Sequence, residues 1–254
     1  IVGDIKSDLN QFGAKILSIY QKDDRFFSEP MSFFSKILNL SDEQYPLMYD
    51  DISEVIANDK KISLDKNNIK IKKNDEERFV SIFSIKEYHE TSADSLDKFL
   101  QLPQELIITQ SIDFVDKEYA ITEFEHQNYV LDVSKGQILK DISGLKDIVE
   151  ENKGSQTDYA EHQITVTVIG DSEDDLKDKY QKSVSSLHQL GIVIAPEEIF
   201  LEHCFWARLP ANFSFICRKK ITNISKIGGL ASLHNLPFGK KEDNKWGEAI
   251  CILR

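Results

Sequence analysis

The chain has 254 residues, of which 41% are apolar and 29% are charged. Its 43 acidic residues outnumber its 31 basic ones, so the formal net charge at pH 7 is −12. A protein that binds nucleic acid over its whole surface needs a basic excess to neutralise phosphates, and we therefore expect no direct nucleic-acid binding. The longest uninterrupted apolar run, residues 249–253, is far shorter than the ~20 residues that cross a bilayer, so no membrane span is predicted.

The cysteine content predicts a reduced protein. Only Cys204, Cys217 and Cys251 are present, an odd number without C-x-x-C spacing. That pattern suits free thiols in a cytosolic compartment and excludes a zinc site built from four cysteines. The chain begins without methionine and stops at Arg254, directly after an apolar run, and we interpret it as a fragment of a longer protein.

The first 75 residues are predicted to form an N-terminal helical segment. Residues 4–22 place apolar side chains every three or four positions, which predicts an amphipathic helix. A second helix is predicted to open at Pro30 and to run through Leu40. Residues 59–77 are polar and rich in Asn and Lys, which indicates short strands, loops and a segment boundary. The apolar positions of the first helix are Ile5, Leu9, Phe12, Ile16 and Tyr20.

Residues 80–88 begin the first of two predicted β-α-β units. Their β-branched and aromatic side chains fall on both faces, which is typical of a strand covered on two sides. Thr91 and Ser92 can cap a following helix, which must end before Pro103. Residues 106–114 alternate apolar and polar side chains, which predicts a half-buried strand. Its apolar face is predicted to hold Leu106, Ile108, Ile112 and Phe114.

A second unit repeats the same order of elements. Residues 164–168 alternate as a strand does, and Asp171 or Ser172 then caps a helix whose first turn is acidic. Gly191 stands where a left-handed C-terminal cap is needed, and a short strand follows it. The two units predict an α+β fold, with a ferredoxin-like split sheet over residues 76–200.

Residues 117–151 are predicted to be a helical insertion between the two units. Apolar side chains recur every seven positions, although Gly136 favours a break in the helix. The insertion is either a protruding arm that meets another chain or a helix packed on its own sheet. We favour the packed helix.

The 254-residue sequence contains no phosphate-binding loop of the form G-x-x-x-x-G-K-[ST]. Gly239 and Lys240 come nearest, but His234 stands where the first glycine is required. Gly170 follows a strand alone, and the acidic residues after it would repel a phosphate. We therefore predict no bound cofactor for this chain.

No catalytic residue and no metal ligand is predicted. The six histidines show neither H-x-x-x-H nor H-E-x-x-H spacing, and no G-x-S-x-G elbow is present. His203 and Cys204 would belong to a zinc site only if distant residues completed it. Acidic clusters such as residues 173–175 are interpreted as solvated surface. A metal-dependent enzyme is therefore the weaker alternative function.

The most unusual sequence lies in two runs, FWARLPANF at 205–213 and GGLASLHNLPFGKKEDNKWG at 228–247. Both resemble the CagE/TrbE/VirB family of bacterial type IV secretion ATPases, and LPQELIITQSIDF at 102–114 is similar to that family's Leu-Pro-x-Glu strand. The first run matches at Phe205, Trp206, Ala207, Leu209, Pro210, Asn212 and Phe213. The second matches at Gly229, Leu230, Ala231, His234, Asn235, Pro237, Gly239, Trp246 and Gly247.

The resemblance implies an N-terminal domain that docks an ATPase motor at the cytoplasmic side of the inner membrane. It implies contacts with other secretion components and with further copies, and a hexameric full-length protein that uses ATP and magnesium to energise pilus assembly or the transfer of DNA or protein. In the family the phosphate-binding loop follows the W-G element, so residues 201–254 are expected to connect to a motor domain outside this chain. A stand-alone scaffold without a motor is the alternative.

Both tryptophans in these runs also have a purely structural interpretation. Trp206 lies between Phe205 and Leu209 at helical spacing, and we expect its indole to close the core of this domain. Trp246 lies in a polar stretch, where a core position and a contact with the motor domain are equally consistent with the sequence.

Overall fold

A computed structural model describes residues 2–9, 15–57, 60–73, 76–87, 99–133, 158–228 and 230. Its strands are β1 (Ile19–Lys22), β2 (Arg25–Ser28), β3 (Lys60–Leu64), β4 (Ile69–Lys73), β5 (Glu76–Glu87), β6 (Leu106–Val115), β7 (Tyr159–Gly170), β8 (Val193–Pro196) and β9 (Lys220–Asn223). Its helices are α1 (Val2–Leu9), α2 (Glu29–Asn39), α3 (Ile52–Ala57), α4 (Lys117–Val133), α5 (Glu173–Gln189), α6 (Leu201–Trp206) and α7 (Ile224–Gly228). A short 3-10 helix, Phe213–Phe215, follows α6.

One sheet of seven described strands organises the molecule. Its main order is β3-β4-β5-β7-β6, while β8 extends the sheet beside β5 and β9 extends it beside β7. All neighbouring strands are antiparallel. The predicted α+β class is confirmed. The helix expected after Thr91 and Ser92 lies outside the described residues except at positions 99 and 100, which are helical, so the ferredoxin-like unit stays a prediction although β8, β5, β7 and β6 lie side by side.

Strand β5 has a hydrophobic core on each of its faces, as predicted. Val80 and Ile82 belong to one cluster, which also holds Phe205 from α6. Phe79 and Phe83 belong to the other, which is closed by α5. Because the side chains of a strand alternate between faces, a strand with apolar residues at both parities must be covered twice.

Local sequence determines both ends of α5. The Ser172 hydroxyl accepts a hydrogen bond from the Asp175 amide at 3.1 Å, which satisfies one of the free N–H groups of the first turn. Gly191 has φ +73° directly after the helix, a conformation that glycine adopts without strain. The predicted caps are confirmed, with Ser172 rather than Asp171 at the N-terminus.

Strand β6 is buried over only part of its length. Leu106 and Ile108 pack against the cluster beneath α5, as the alternation predicts. Farther along the same face, Ile112 is 42% exposed and Phe114 is 74% exposed. The prediction of a half-buried strand is therefore correct for the first half of the apolar face and wrong for the second, because the helix covers only one end of the strand.

The N-terminal region is less helical than its sequence periodicity suggests. Helix α1 ends at Leu9, and Tyr20 lies in strand β1 instead of in a helix. Asp23 and Asp24 both adopt positive φ, of 48° and 58°, and form the two-residue turn of the β1–β2 hairpin. Tyr20 then stacks on Phe27 at a centroid distance of 5.6 Å. The predicted second helix is present as α2, with Leu40 as its left-handed C-cap.

The expected segment boundaries are crossed by contacts. Strand β4 pairs with β5 across position 75, and α6 packs into the same core cluster as β4 and β5. The segment 1–75 holds four strands in addition to its helices. The three-segment organisation therefore rests on sequence, and the described part of the chain shares one sheet across the first boundary.

The start of the predicted helical insertion packs on its own sheet. Ala120 and Phe124 of α4 form a small buried cluster with Tyr159 and Ile221. The Phe124 and Tyr159 rings meet edge to face at 5.7 Å. This contact supports the packed alternative for α4, whereas residues 134–151 lie outside the described residues. Among the helices that the structure describes, none combines the length and apolarity required to traverse a bilayer.

Replacing Gly170 by alanine is expected to destabilise the protein by about 1–3 kcal/mol. A Cβ atom at this position would lie 2.6 Å from the backbone nitrogen of Leu176 in α5, so either the strand or the helix must shift. Urea unfolding measures the loss. Gly228→Ala is the matched control, because nothing lies within 4 Å of its added Cβ, and an equal loss in both variants would contradict this assignment.

The free energy of unfolding is expected to fall by about 2 kcal/mol between pH 7 and pH 5 because of His162. Burial lowers the pKa of His162 to about 4, from 6.5 for an exposed histidine. The unfolded chain therefore binds more protons than the folded chain between these values, and the fold loses stability as the pH falls through this window. Urea unfolding at both pH values measures the effect. His162→Gln should remove most of the pH dependence, and an unchanged slope in that variant would refute the assignment.

Candidate functional site

The first family-like run, residues 205–213, is built on helix α6 and the turn that follows it. Leu201, Cys204 and Phe205 are the buried residues of this helix. Phe205 is completely buried, and its ring meets Trp206 edge to face at 5.1 Å. Trp206 is partly buried against the same core cluster. The indole therefore lies in the core, where its sequence position places it.

A strained turn links α6 to the exposed end of the run. The Asn212 side-chain amide donates to the Trp206 carbonyl at 3.0 Å, which caps the last turn of the helix. Ala211 has φ +64°, a left-handed conformation that costs a residue with a Cβ roughly 1–2 kcal/mol. Leu209 is half-buried and Pro210 is exposed. The hydrogen bond of Asn212 and its tightly bent turn explain why this run needs an amide at that position.

The run divides into a buried half and an exposed half. Phe205 anchors the first half in the core, whereas Phe213 is 71% exposed at the start of the 3-10 helix. An aromatic side chain held so far out of the core stabilises this domain little, because most of its surface stays in water. Phe213 is therefore free to contact another protein.

Arg208, which is not among the residues that match the family-like run, is enclosed inside the run. The residue is 4% exposed, its Nε donates to the Phe205 carbonyl at 3.1 Å, and its guanidinium carbon lies 4.1 Å from the centre of the Phe205 ring. Both terminal nitrogens are buried, and no group of the described residues forms a hydrogen bond with them. Burial lowers the pKa of Arg208 to about 9, since the protein interior disfavours the charged form.

A second buried charge nearby is paired. The Glu197 side chain is fully enclosed, and its Oε1 lies 2.6 Å from Nε of Arg218, whose guanidinium also lies 5.0 Å from the Phe200 ring. The geometry is that of an ion pair without a well-aligned N–H···O bond, because neither Glu197 oxygen has a hydrogen-bond partner. Because the Arg218 side chain is 40% exposed and that of Glu197 is fully buried, removing Arg218 would leave a buried charge uncompensated.

The two described cysteines lie close together as free thiols. Cys204 and Cys217 have their sulfur atoms 4.0 Å apart, well beyond the length of a disulfide bond. Burial raises the pKa of both thiols, so they stay protonated and weakly nucleophilic near neutral pH. His203 directs its ring towards Phe200 and Phe215 instead of towards a metal position. Within the described residues, no three metal-ligating side chains converge.

The second family-like run is described at one matching position only. Leu230 is 1% exposed, and its carbonyl accepts a hydrogen bond from the Gln110 amide at 2.7 Å, which ties the run to strand β6. The remaining candidates lie outside the described residues, and their role as interface residues stays a prediction. They are His234, Asn235, Pro237, Gly239, Trp246 and Gly247.

The free side of β6, which we name the open edge, is a second candidate surface. In the described part of the chain β6 pairs with β7 alone, so the other side of this 10-residue strand has no strand partner. It contains no Lys, Arg or Pro, the residues that commonly protect exposed strands from pairing. The opposite edge strand, β3, has 5 residues and begins with Lys60 and Lys61.

Sequence reasoning missed Arg208, the Glu197–Arg218 pair and the open edge. One signal for the arginines was available, because only five of the 31 basic residues are arginine and two of these fall at 208 and 218. A chain that uses lysine almost everywhere has a reason to use arginine where planar, bidentate pairing is needed. The open edge had no such signal, because strand order depends on tertiary structure.

Ala211→Gly is expected to raise the free energy of unfolding by about 0.5–1 kcal/mol, since glycine adopts positive φ without strain. Chemical denaturation measures the gain. Ala195→Gly in strand β8 is the matched control and should destabilise, because glycine weakens a strand where no positive φ is needed. A loss of stability in both variants would show that the turn at Ala211 is unstrained.

Residues 15–218 match the model of the CagE, TrbE, VirB family, described as a component of the type IV transporter system. The chain is 30% identical over 253 residues to the type IV secretion system protein virB4 of Bartonella quintana. The aligned region covers 99% of this chain and 32% of that relative.

Two further relatives extend the comparison. Protein virB4 of Agrobacterium fabrum is 24% identical over 97% of this chain and 31% of its own length. The type IV secretion system protein PtlC of Bordetella pertussis is 25% identical over 69% of this chain and 22% of its own length. The chain thus spans about one third or less of these relatives, and it belongs to the CagE, TrbE, VirB family of type IV transporter components.

Proposed function

We propose that this chain is the N-terminal docking and assembly domain of a type IV secretion ATPase. It holds the motor at the cytoplasmic side of the inner membrane, contacts other secretion components and further copies of the protein, and is continuous with its own motor domain. The whole protein energises pilus assembly and the translocation of DNA or protein. Family membership and coverage of about a third of the virB4 relative support this division of labour.

ATP and magnesium belong to the remainder of the protein in this proposal. The one strand–helix junction that resembles a phosphate site, at Gly170, has an acidic first turn in α5 that would repel the nucleotide. The close approach of α5 to Gly170 explains this glycine by packing instead. The chain by itself therefore acts through its surfaces.

The observation that carries the proposal is the open edge of β6. A 10-residue strand whose backbone donors and acceptors on one side pair with no described strand is a template on which another extended segment can pair. Ile112 and Phe114, at 42% and 74% exposure, add apolar side chains that such a partner would cover. An edge of this kind exposed for no purpose would promote aggregation, so its retention indicates that a partner covers it.

Charge selects the kind of partner. Glu105, Asp113 and Asp116 are exposed around the open edge, where Glu105 and Asp113 lie 3.5 Å and 3.4 Å from the cationic groups of Arg78 and Lys219, and the chain carries a net charge of −12. A second copy of the same edge would bring like charges together, whereas an extended segment with apolar and basic side chains would complement it. We therefore assign the open edge to another secretion component of that character, and contacts between copies to other surfaces.

The test replaces Ile112 and Phe114 by serine in the full-length protein within a functional secretion complex. The share of the protein incorporated into the complex, and secretion with it, is expected to fall at least tenfold, while ATP hydrolysis by the purified protein stays unchanged. Co-purification with the assembled complex measures incorporation. Phe26→Ser is the matched control, because Phe26 is also a strand phenylalanine with 55% exposure. Normal incorporation of the double variant would overturn the proposal.

A further inference from the structure

We propose that Arg208 is the docking point for a carboxylate contributed by the part of the same polypeptide that lies outside this chain. The inference deepens the proposed function and rests on it in one respect, that this chain is one domain of a longer protein. It names the chemistry by which the domain holds the remainder of that protein.

The Arg208 guanidinium is held in position, and no described residue supplies an anion to pair with it. The guanidinium carbon of Arg208 lies over the Phe205 ring and its Nε donates to the Phe205 carbonyl, so the guanidinium has a defined position. Its two terminal nitrogens, which form the fork that pairs with a carboxylate, have no hydrogen-bond partner among the residues that the structure describes. No carboxylate oxygen of the described residues lies within 4.0 Å of them, and the buried carboxylate of Glu197 pairs with Arg218.

A structural role alone does not explain a charge at this position. Packing over Phe205 would be achieved as well by methionine, which has similar length and needs no hydrogen bonds. A buried guanidinium without a counter-charge lowers the stability of the domain, and the burial-lowered pKa of Arg208 reflects the same cost. Arginine is therefore useful here only once an anion reaches it.

The turn after α6 adjoins Arg208, and its rearrangement would give an anion access to the guanidinium. Arg208 is enclosed, so a partner reaches its fork only when the neighbouring backbone moves. Ala211, three residues on, holds φ +64° in the turn after α6, and this strained conformation would be relieved by rearrangement. The run thus combines an unsatisfied charge with a strained turn, and docking of an anion can release both.

Charge balance favours a carboxylate over a phosphate. One guanidinium and one carboxylate form a neutral pair, which the apolar surroundings of Phe205 tolerate. A nucleotide phosphate carries more than one negative charge, so pairing with the single guanidinium of Arg208 would leave excess negative charge in the core. The uncovered two thirds of the virB4 relative's length is a large source of carboxylates within the same polypeptide.

The experiment compares Arg208→Met in this 254-residue chain and in the full-length protein by thermal unfolding. In this chain the variant is expected to raise the unfolding midpoint by at least about 3 °C, because an unpaired charge is removed. In the full-length protein the same variant is expected to lower the midpoint of the first transition, because a pair is broken. A shift of the same sign in both proteins would overturn the inference.

Arg218→Met is the matched control. It leaves Glu197 buried without its counter-charge, so it should lower the midpoint in both proteins. Arg208→Lys keeps the charge without the planar fork, and in the full-length protein it should fall between the wild type and Arg208→Met. In the full-length protein, equal unfolding midpoints for Arg208→Lys and Arg208→Met would still support pairing. A lower midpoint for Arg208→Lys than for Arg208→Met would contradict it.

Two further outcomes separate the alternatives. Inorganic phosphate and ATP, added singly to this chain, should leave the unfolding midpoint unchanged; a rise in the wild type that is absent in Arg208→Met would assign Arg208 to a phosphate and refute the carboxylate. If Arg208→Met has no effect in the full-length protein while the open-edge variant still blocks incorporation, this inference fails and the proposed function stands. The reverse result would retain the Arg208 contact and reject the role of the open edge.

Discussion

The antiparallel pairing of β5 with β7 is the interaction on which the rest of the structure depends. Their register joins Val80 to Ile169 and Phe83 to Val166, residues that are almost completely buried. Strand β5 then carries β4 and β8, and β7 carries β6 and β9. Helix α6, with the first family-like run, rests on the β5 side of this pair, while the open edge extends from the β7 side. Both candidate surfaces therefore take their positions from one pair of strands.

Two buried charges in this fold differ in whether they are paired. Glu197 and Arg218 are separated by 21 positions in the sequence and meet at 2.6 Å, so the fold compensates this charge by itself. Arg208 lies in the same region without compensation. In a domain that worked alone, the uncompensated charge of Arg208 would only lower the free energy of unfolding. Under the proposal that this chain is one domain of a longer protein, a carboxylate from the remainder of that protein compensates the charge of Arg208.

Sequence reasoning succeeded where local chemistry decides the outcome. Ser172 and Gly191 delimit α5 because a hydroxyl cap and a left-handed C-terminus are local requirements, and β5 reads as a doubly covered strand from its own side chains. It failed at Tyr20, where helical spacing of apolar residues was coincidental and the turn at Asp23 and Asp24 folds the chain into a hairpin. A periodicity of a few residues does not outweigh a turn that pairs two strands.

The remainder of the candidate site depends on distances that no local pattern encodes. The alternation in β6 identified its apolar face, but the exposure of Ile112 and Phe114 depends on how far α5 extends over the sheet. The family-like run located the region of Phe205 and Asn212, yet Arg208, which is outside the matching residues, has the clearest unpaired charge among the described residues. Motif matching favours residues that stay the same, whereas burial of an unpaired group is visible only in three dimensions.

Hydrogen–deuterium exchange along β6 tests the account most directly. The amides of Leu106–Val115 would be followed in the full-length protein, first purified alone and then within the assembled secretion complex. The account predicts that amides on the outer side of the strand exchange at least ten times more slowly after assembly, because a partner strand supplies the missing hydrogen bonds. Exchange at the same rate in both states, with incorporation verified, would contradict the claim that this domain assembles through its open edge.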